Sequence, residues 1–105
     1  MLLFVLFPQR NVGEDAKTSE ARATLGALKD RARVVYHQTK IAPQSLDELG
    51  VSDNELTGNY FTRTNYTVGG NAKKWWAKCT GVFSAEPTYL YLESDLETGA
   101  SSFNR

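Results

Sequence analysis

The chain has one cysteine, one histidine, three prolines and no excess of either charge, and each scarcity closes off a class of protein. With Cys79 alone, no disulfide can form within the chain, and cysteine usage does not identify the compartment. One Cys and one His cannot supply the common zinc ligand sets. Twelve Lys and Arg against twelve Asp and Glu exclude the one-signed field of a polybasic nucleic-acid binder or an acidic disordered tail. Long apolar runs are missing too. Residues 1–7 are wholly apolar, but a membrane span needs about 20 such residues, and the start has neither the charged leader nor the small-residue cleavage site of a secretory signal.

What is there suits one compact domain. The 105 residues are 41% hydrophobic, with two Trp, five Tyr and five Phe to build a core. No repeat, linker or low-complexity tract divides them, so a single domain over residues 1–105 is expected.

Ala21, Leu25, Leu28, Ala32 and Val35 recur at spacings of three and four, the stripe of an amphipathic helix, with Arg22, Lys29, Asp30, Arg31 and Arg33 as its solvated face. Gly26 interrupts the helix at a cost of roughly 1 kcal/mol relative to Ala, either tolerated or admitting another backbone. Pro8 permits a bend, and the helix is expected to continue to the N-terminus over residues 1–38 and to end at Ile41-Ala42-Pro43. Such a rod, roughly 45 Å long over residues 9–38, exceeds what one small sheet requires. Residues 39–58 are expected to form a loop with one short turn: Ser45 and Glu48 match a capping box and Gly50 stops it.

From Asn59 the period becomes two. Tyr60, Thr62, Thr64, Tyr66 and Val68 share one face of an expected strand, and Gly69 to Ala72 make a turn. Trp75, Ala77, Cys79, Gly81 and Phe83 alternate with Trp76, Lys78, Thr80 and Val82 in a second strand. After a turn at residues 84–87, Leu90 and Leu92 oppose Tyr89 and Tyr91 in a third; residues 94–105 are a loose tail or a short edge strand. The expected fold is therefore α+β, a long N-terminal helix packed on a three- to four-stranded antiparallel meander over residues 59–105.

Catalytic chemistry has little to work with. His37 sits near a helix end, where it caps or faces solvent, and Cys79 on the inner face reads as a small buried hydrophobe. No glycine-rich phosphate loop opens a helix. The paired carboxylates Asp47-Glu48 and Asp53/Glu55 read as solvated groups, with a weak divalent-ion site as the alternative. Asn65-Tyr66-Thr67 fits the glycosylation pattern, a match frequent by chance. No enzyme activity, cofactor or metal is expected, and an enzyme built on Cys79 and His37 stands as a formal third possibility. Adjacent Trp75 and Trp76 must point to opposite faces. With Trp75 in the core, Trp76 lies outside with Lys74, Lys78 and Tyr89 or Tyr91, as a protein, sugar or aromatic interface or as cross-strand packing.

The segment from Ala16 to Lys29, with Ser19-Glu20-Ala21 followed by Leu25-Gly26-Ala27, resembles the second half of the long N-terminal helix of bacterial type IV pilins and type II secretion pseudopilins. Tyr36, the run from Ser45 to Val51, and Gly58-Asn59-Tyr60-Phe61-Thr62 resemble the loop and first strand that follow it, so the likeness covers roughly residues 14–68. The family's Gly-Phe processing motif, most of its apolar helix and the paired C-terminal cysteines of adhesive pilins are absent; Phe4-Val5-Leu6-Phe7-Pro8 resembles the end of that apolar helix.

The resemblance implies a structural subunit of a type IV pilus-like filament, a homo-oligomer at the bacterial cell surface with an inner-membrane or periplasmic pool before assembly. Phe4, Val5, Leu6 and Phe7 would point to the filament axis. The missing helix half would come from residues beyond the start or from a separate pilin helix, the sole membrane contact, and nucleic acid is not an expected partner. The alternative is a pseudopilin or minor pilin acting as a binding module through Trp76, Asp53 and Glu55.

Overall fold

A computed structural model describes residues 12–105 of the chain, with side chains from residue 15 onward. Helix α1 (Val12–Thr39) lies on a four-stranded antiparallel sheet, ordered β1-β2-β3-β4, of β1 (Tyr66–Gly70), β2 (Trp75–Cys79), β3 (Leu90–Ser94) and β4 (Ser101–Phe103). Two single turns, α2 (Leu46–Leu49) and α3 (Asp53–Leu56), and a 3-10 turn (Arg63–Asn65) join helix to sheet. The α+β class is as expected, and the tail is the edge strand β4. The part of the expected helix before Val12, with Phe4, Val5, Leu6 and Phe7, lies outside the described residues.

Helix α1 crosses the two central strands and buries Ala21, Leu25, Leu28 and Ala32 against Val68, Ala77, Leu90 and Leu92, while Val35 at the end of the stripe is half-buried. Trp75 is fully buried, and its indole N–H donates to the Pro43 carbonyl at 2.9 Å, satisfying the one polar atom that burial would otherwise strand. The helix ends at Thr39, one residue past the expected end, and Lys40 takes a left-handed φ of 65° before Ile41-Ala42-Pro43.

The solvated face of α1 needs correction. Asp30 is exposed as expected, but Lys29, Arg31 and Arg33 flank the stripe and reach past it to carbonyls at loop ends, and Arg22, though exposed, donates to the Arg105 carbonyl and lies 4.6 Å from the Phe103 ring centroid. Lys29 donates to the Gly99 carbonyl and the Ser101 hydroxyl, each at 3.1 Å, and Arg33 to the carbonyls of Leu96 (3.1 Å) and Glu97 (3.2 Å). On the other flank Arg31 donates to the Leu49 carbonyl at 3.0 Å and pairs with Glu55 at 3.1 Å. Long aliphatic stems let these residues cover apolar surface and still place the charge on an acceptor.

The first expected strand is shorter than its alternation suggests. Residues 60–62 are irregular, 63–65 form the 3-10 turn, and Tyr60 is 45% exposed while Phe61 is buried, the reverse of the expected phase. The cause lies on α1. The Glu20 carboxylate accepts the backbone N–H groups of Asn59 (2.9 Å), Tyr60 (3.2 Å) and Phe61 (3.0 Å), drawing this segment onto the helix and away from the sheet. Gly58 is required for that approach, because a Cβ there would lie 2.3 Å from a Glu20 carboxylate oxygen. The Thr62 N–H then donates to the Asn65 side chain at 3.0 Å and closes the 3-10 turn before β1 can start.

Smaller differences have similar local causes. Strand β1 runs through Gly70, so the turn falls on residues 71–74, where Asn71 accepts the N–H groups of Lys73 and Lys74. Strand β2 ends at Cys79; the backbone bends at Gly81 and buries Val82 in place of Phe83. In α2, Ser45 caps the Glu48 amide as expected, but the Glu48 carboxylate reaches the N–H of Gln44 instead of Ser45. The expected loop over residues 53–58 contains α3, started by a capping box between Ser52 and Glu55 and anchored by buried Leu56.

Replacing Glu20 by Ala strands three amides, one of them part-buried, and is expected to cost about 2 kcal/mol in urea unfolding, with Gln recovering part of the loss. A cost below about 0.5 kcal/mol would mean that Phe61 packing alone holds the segment.

Candidate functional site

The outer face of the sheet is where sequence reasoning placed a binding surface, and its centre is Trp76 on β2. Strand register sets Trp76 opposite Gly69 of β1 on one side and Glu93 of β3 on the other. A Cβ on Gly69 would lie 2.9 Å from the indole, so the ring rests against β1 in space that only glycine leaves open. Its diagonal neighbour Tyr91 lies with ring centroids 5.9 Å apart and planes 17° from parallel. Tyr89 then meets Tyr91 edge-on at 6.3 Å, and the Lys78 ammonium sits 5.3 Å from the Tyr89 ring centroid. Trp76, Lys78 and Tyr91 are half-buried, while Tyr89 and Glu93 are exposed. Cross-strand packing therefore forms the face, and it leaves an aromatic strip facing solvent.

Asp53 and Glu55 belong elsewhere. Both sit on α3, beside α1 on the helix side of the sheet, so they do not join Trp76 in one site. Glu55 is engaged three ways: it accepts from the Ser52 N–H, it contacts the Ser52 hydroxyl, and it pairs with Arg31. Asp53 lies 3.4 Å from Arg63, which also pairs with Asp47. The two carboxylates thus fasten turns to the helix and to the 3-10 turn. Among the described residues no group of His, Cys, Asp and Glu could hold a metal ion, and no helix is long and apolar enough to cross a membrane.

Cys79 is fully buried opposite Tyr66, and burial pushes its thiol up to about 12. Tyr66 is raised above the usual phenol range, also by burial, with Thr24 and Cys79 as its polar neighbours. His37 is exposed in the last turn of α1 with its ring against Tyr36, far along the helix from the stripe residues that meet β2. Cys79 and His37 therefore do not come together. Asn65 of the glycosylation pattern spends its side-chain amide on the Thr80 carbonyl, at 3.3 Å. On the edge near β4, hydrogen bonds from Lys73 (3.1 Å) and Tyr36 (3.0 Å) hold the Glu97 carboxyl below the usual range and tie the C-terminal third of α1 to the sheet.

Sequence reasoning found Trp76 with Lys78, Tyr89 and Tyr91 as its neighbours, but not the Gly69 contact that sets its pose. Gly69 becomes legible only once the turn at residues 71–74 fixes the register of β1 on β2. It also missed the Glu20 grip, for which the nearest signal was a lone glycine, Gly58.

Native Cys79 should resist a thiol reagent that labels it fully in urea, since the neutral buried thiol is a poor nucleophile. Stability should also fall as pH rises above about 9. There the unfolded thiol ionises near its ordinary value of 9.0 while the folded one stays protonated up to about 12, a slope of about 1 kcal/mol per pH unit that Cys79→Ala removes between about pH 9 and 10, above which buried Tyr66 adds a loss that the variant keeps. Rapid native labelling, or a flat profile to pH 11, would overturn the buried-thiol assignment.

No family model, no curated protein and no solved structure matches the chain.

Proposed function

We propose that this protein is a pilin-like structural subunit of a type IV pilus-like filament, assembling through α1 and presenting its sheet outward. The observation that carries this reading is the outward face of the helix. Ala23 and Ala27 are exposed, Gly26 is half-exposed and Val34 is 53% exposed, on the side turned away from the domain's own sheet, where they share the helix surface with Asp30 and His37. Nothing lies within 4 Å of where a Cβ on Gly26 would sit, so the domain itself makes no use of this glycine. Small residues on a helix let a second backbone come close, and the burial missing in the monomer would be supplied by neighbouring copies. The described helix starts nine residues, about 13 Å, before its first fully buried residue, Ala21. The likeness of residues 14–68 to pilins and pseudopilins supports the same reading, and balanced charge lowers repulsion between packed copies.

A second reading, a pseudopilin or minor pilin serving as a binding module in secretion or surface recognition, is favoured by the exposed aromatic strip on the outer sheet face.

The two roles of Gly26 can be separated. Gly26→Ala should stabilise the isolated domain by up to about 1 kcal/mol, raising Tm by about 4–8 °C, and Gly26→Leu should leave it folded. In the native cells Gly26→Leu should remove the protein from sheared surface filaments. The filament reading fails if the protein stays monomeric there and its deletion leaves pili and secretion intact.

A further inference from the structure

We propose that the outer face of the sheet binds a neutral polysaccharide, with successive sugar rings stacked on Trp76 and Tyr91. The inference starts from how the two rings lie. Atoms of the indole come within 2.9–3.5 Å of the position a Gly69 Cβ would take, so Trp76 reclines on the β1 backbone and turns its other side to solvent. Contact between stacked carbons occurs at about 3.5–4.0 Å. With centroids 5.9 Å apart and planes 17° from parallel, Trp76 and Tyr91 are therefore offset-stacked rather than eclipsed, and each leaves part of its face uncovered by the other. They offer two ring faces in series along the diagonal of β2 and β3. Tyr89, edge-on to Tyr91 and held by Lys78, stands at one end as a wall.

A pyranose has an apolar face of C–H groups and a rim of hydroxyls, and this surface has the complement of both. The rings can take the C–H faces by stacking. Around them stand Lys78 and Glu93, one donor and one acceptor of opposite charge, directly across from Tyr91 and Trp76 in the strand register. Such a rim hydrogen-bonds hydroxyls without favouring an anion. A single-stranded nucleic acid would also stack on aromatics, but it needs a positive groove along its backbone, which Glu93 opposes. The face is an open sheet surface rather than a pocket, which suits a polymer lying across it.

This inference deepens the binding-module reading and does not depend on assembly. It is tested on the full-length protein in solution by affinity electrophoresis and calorimetry. The neutral probes are hydroxyethylcellulose, galactomannan and dextran; the anionic probes are polygalacturonate and an oligo(dT). At least one neutral polymer should retard the protein, and Trp76→Ala and Tyr91→Ala should each weaken binding about fivefold or more with circular dichroism unchanged. Gly69→Ala, which lifts the indole from β1 while leaving a strand-compatible backbone, should weaken it as well and decides the matter if Trp76→Ala fails to fold. The proposal is overturned if no neutral polymer binds, if only the anionic probes bind, or if binding is indifferent to Trp76 and Gly69. It also falls if sedimentation shows that the face pairs with a second copy instead. Failure here leaves the filament reading untouched, because the probe acts on the unassembled protein.

Discussion

Glu20 projects from the first third of α1 and receives three consecutive backbone amides, from Asn59, Tyr60 and Phe61, on one carboxylate. These residues lie about forty positions further along the chain, so the contact closes the whole connection between helix and sheet. Its consequences run in both directions. The segment it holds cannot also pair as a strand, so β1 begins only at Tyr66, after Thr62 and Asn65 have turned the chain. Phe61 is carried inward against Tyr66, with ring centroids 6.2 Å apart and edge to face, and the core gains an aromatic pair where alternation would have placed Tyr60. A carboxylate among amide donors is a strong and directional acceptor, which is why one residue can redirect a segment whose own pattern favours a strand.

Around that anchor the cations of α1 act as struts. Arg31 reaches the α2 end and Glu55 on one flank; Lys29 and Arg33 reach the β3–β4 connection on the other. The exposed ion pairs contribute little individually, since solvent screens them. The carbonyls they satisfy matter more, because those groups sit where strands and turns end and have lost their ladder partners. The helix is thereby held on both sides of its apolar stripe, and its remaining outward face, with Ala23, Ala27 and Val34, is left to whatever packs from outside.

The two faces of the domain consequently divide the work. The helix side carries small residues, Ala23, Gly26 and Ala27, that let a second backbone approach, and the sheet side carries aromatics flanked by Lys78 and Glu93. Trp75 and Trp76, adjacent in sequence, mark the division: one is sealed in the core with its N–H on Pro43, the other lies on the outer face over Gly69. The acidic residues Asp53 and Glu55 belong to neither face, being consumed in capping and in ion pairs.

Local periodicity was enough to read the stripe of α1, the Ser45 cap and its stop at Gly50, the inward phase of Trp75, Ala77, Cys79, Leu90 and Leu92, and hence the α+β class, because each depends on residues within a few positions of one another. Where neighbours in space are distant in sequence, the same patterns misled. Alternation at residues 60–64 lost to the Glu20 carboxylate, basic residues that look solvated were claimed by carbonyls some sixty to seventy positions away, and Asp53 and Glu55 found cations. Trp76 was visible as an outward aromatic, yet its pose rests on the register that brings Gly69 beneath it and Tyr91 beside it. Those choices belong to the folded chain, since a polar or aromatic side chain takes the best partner within reach, and reach is set by packing rather than by order along the sequence.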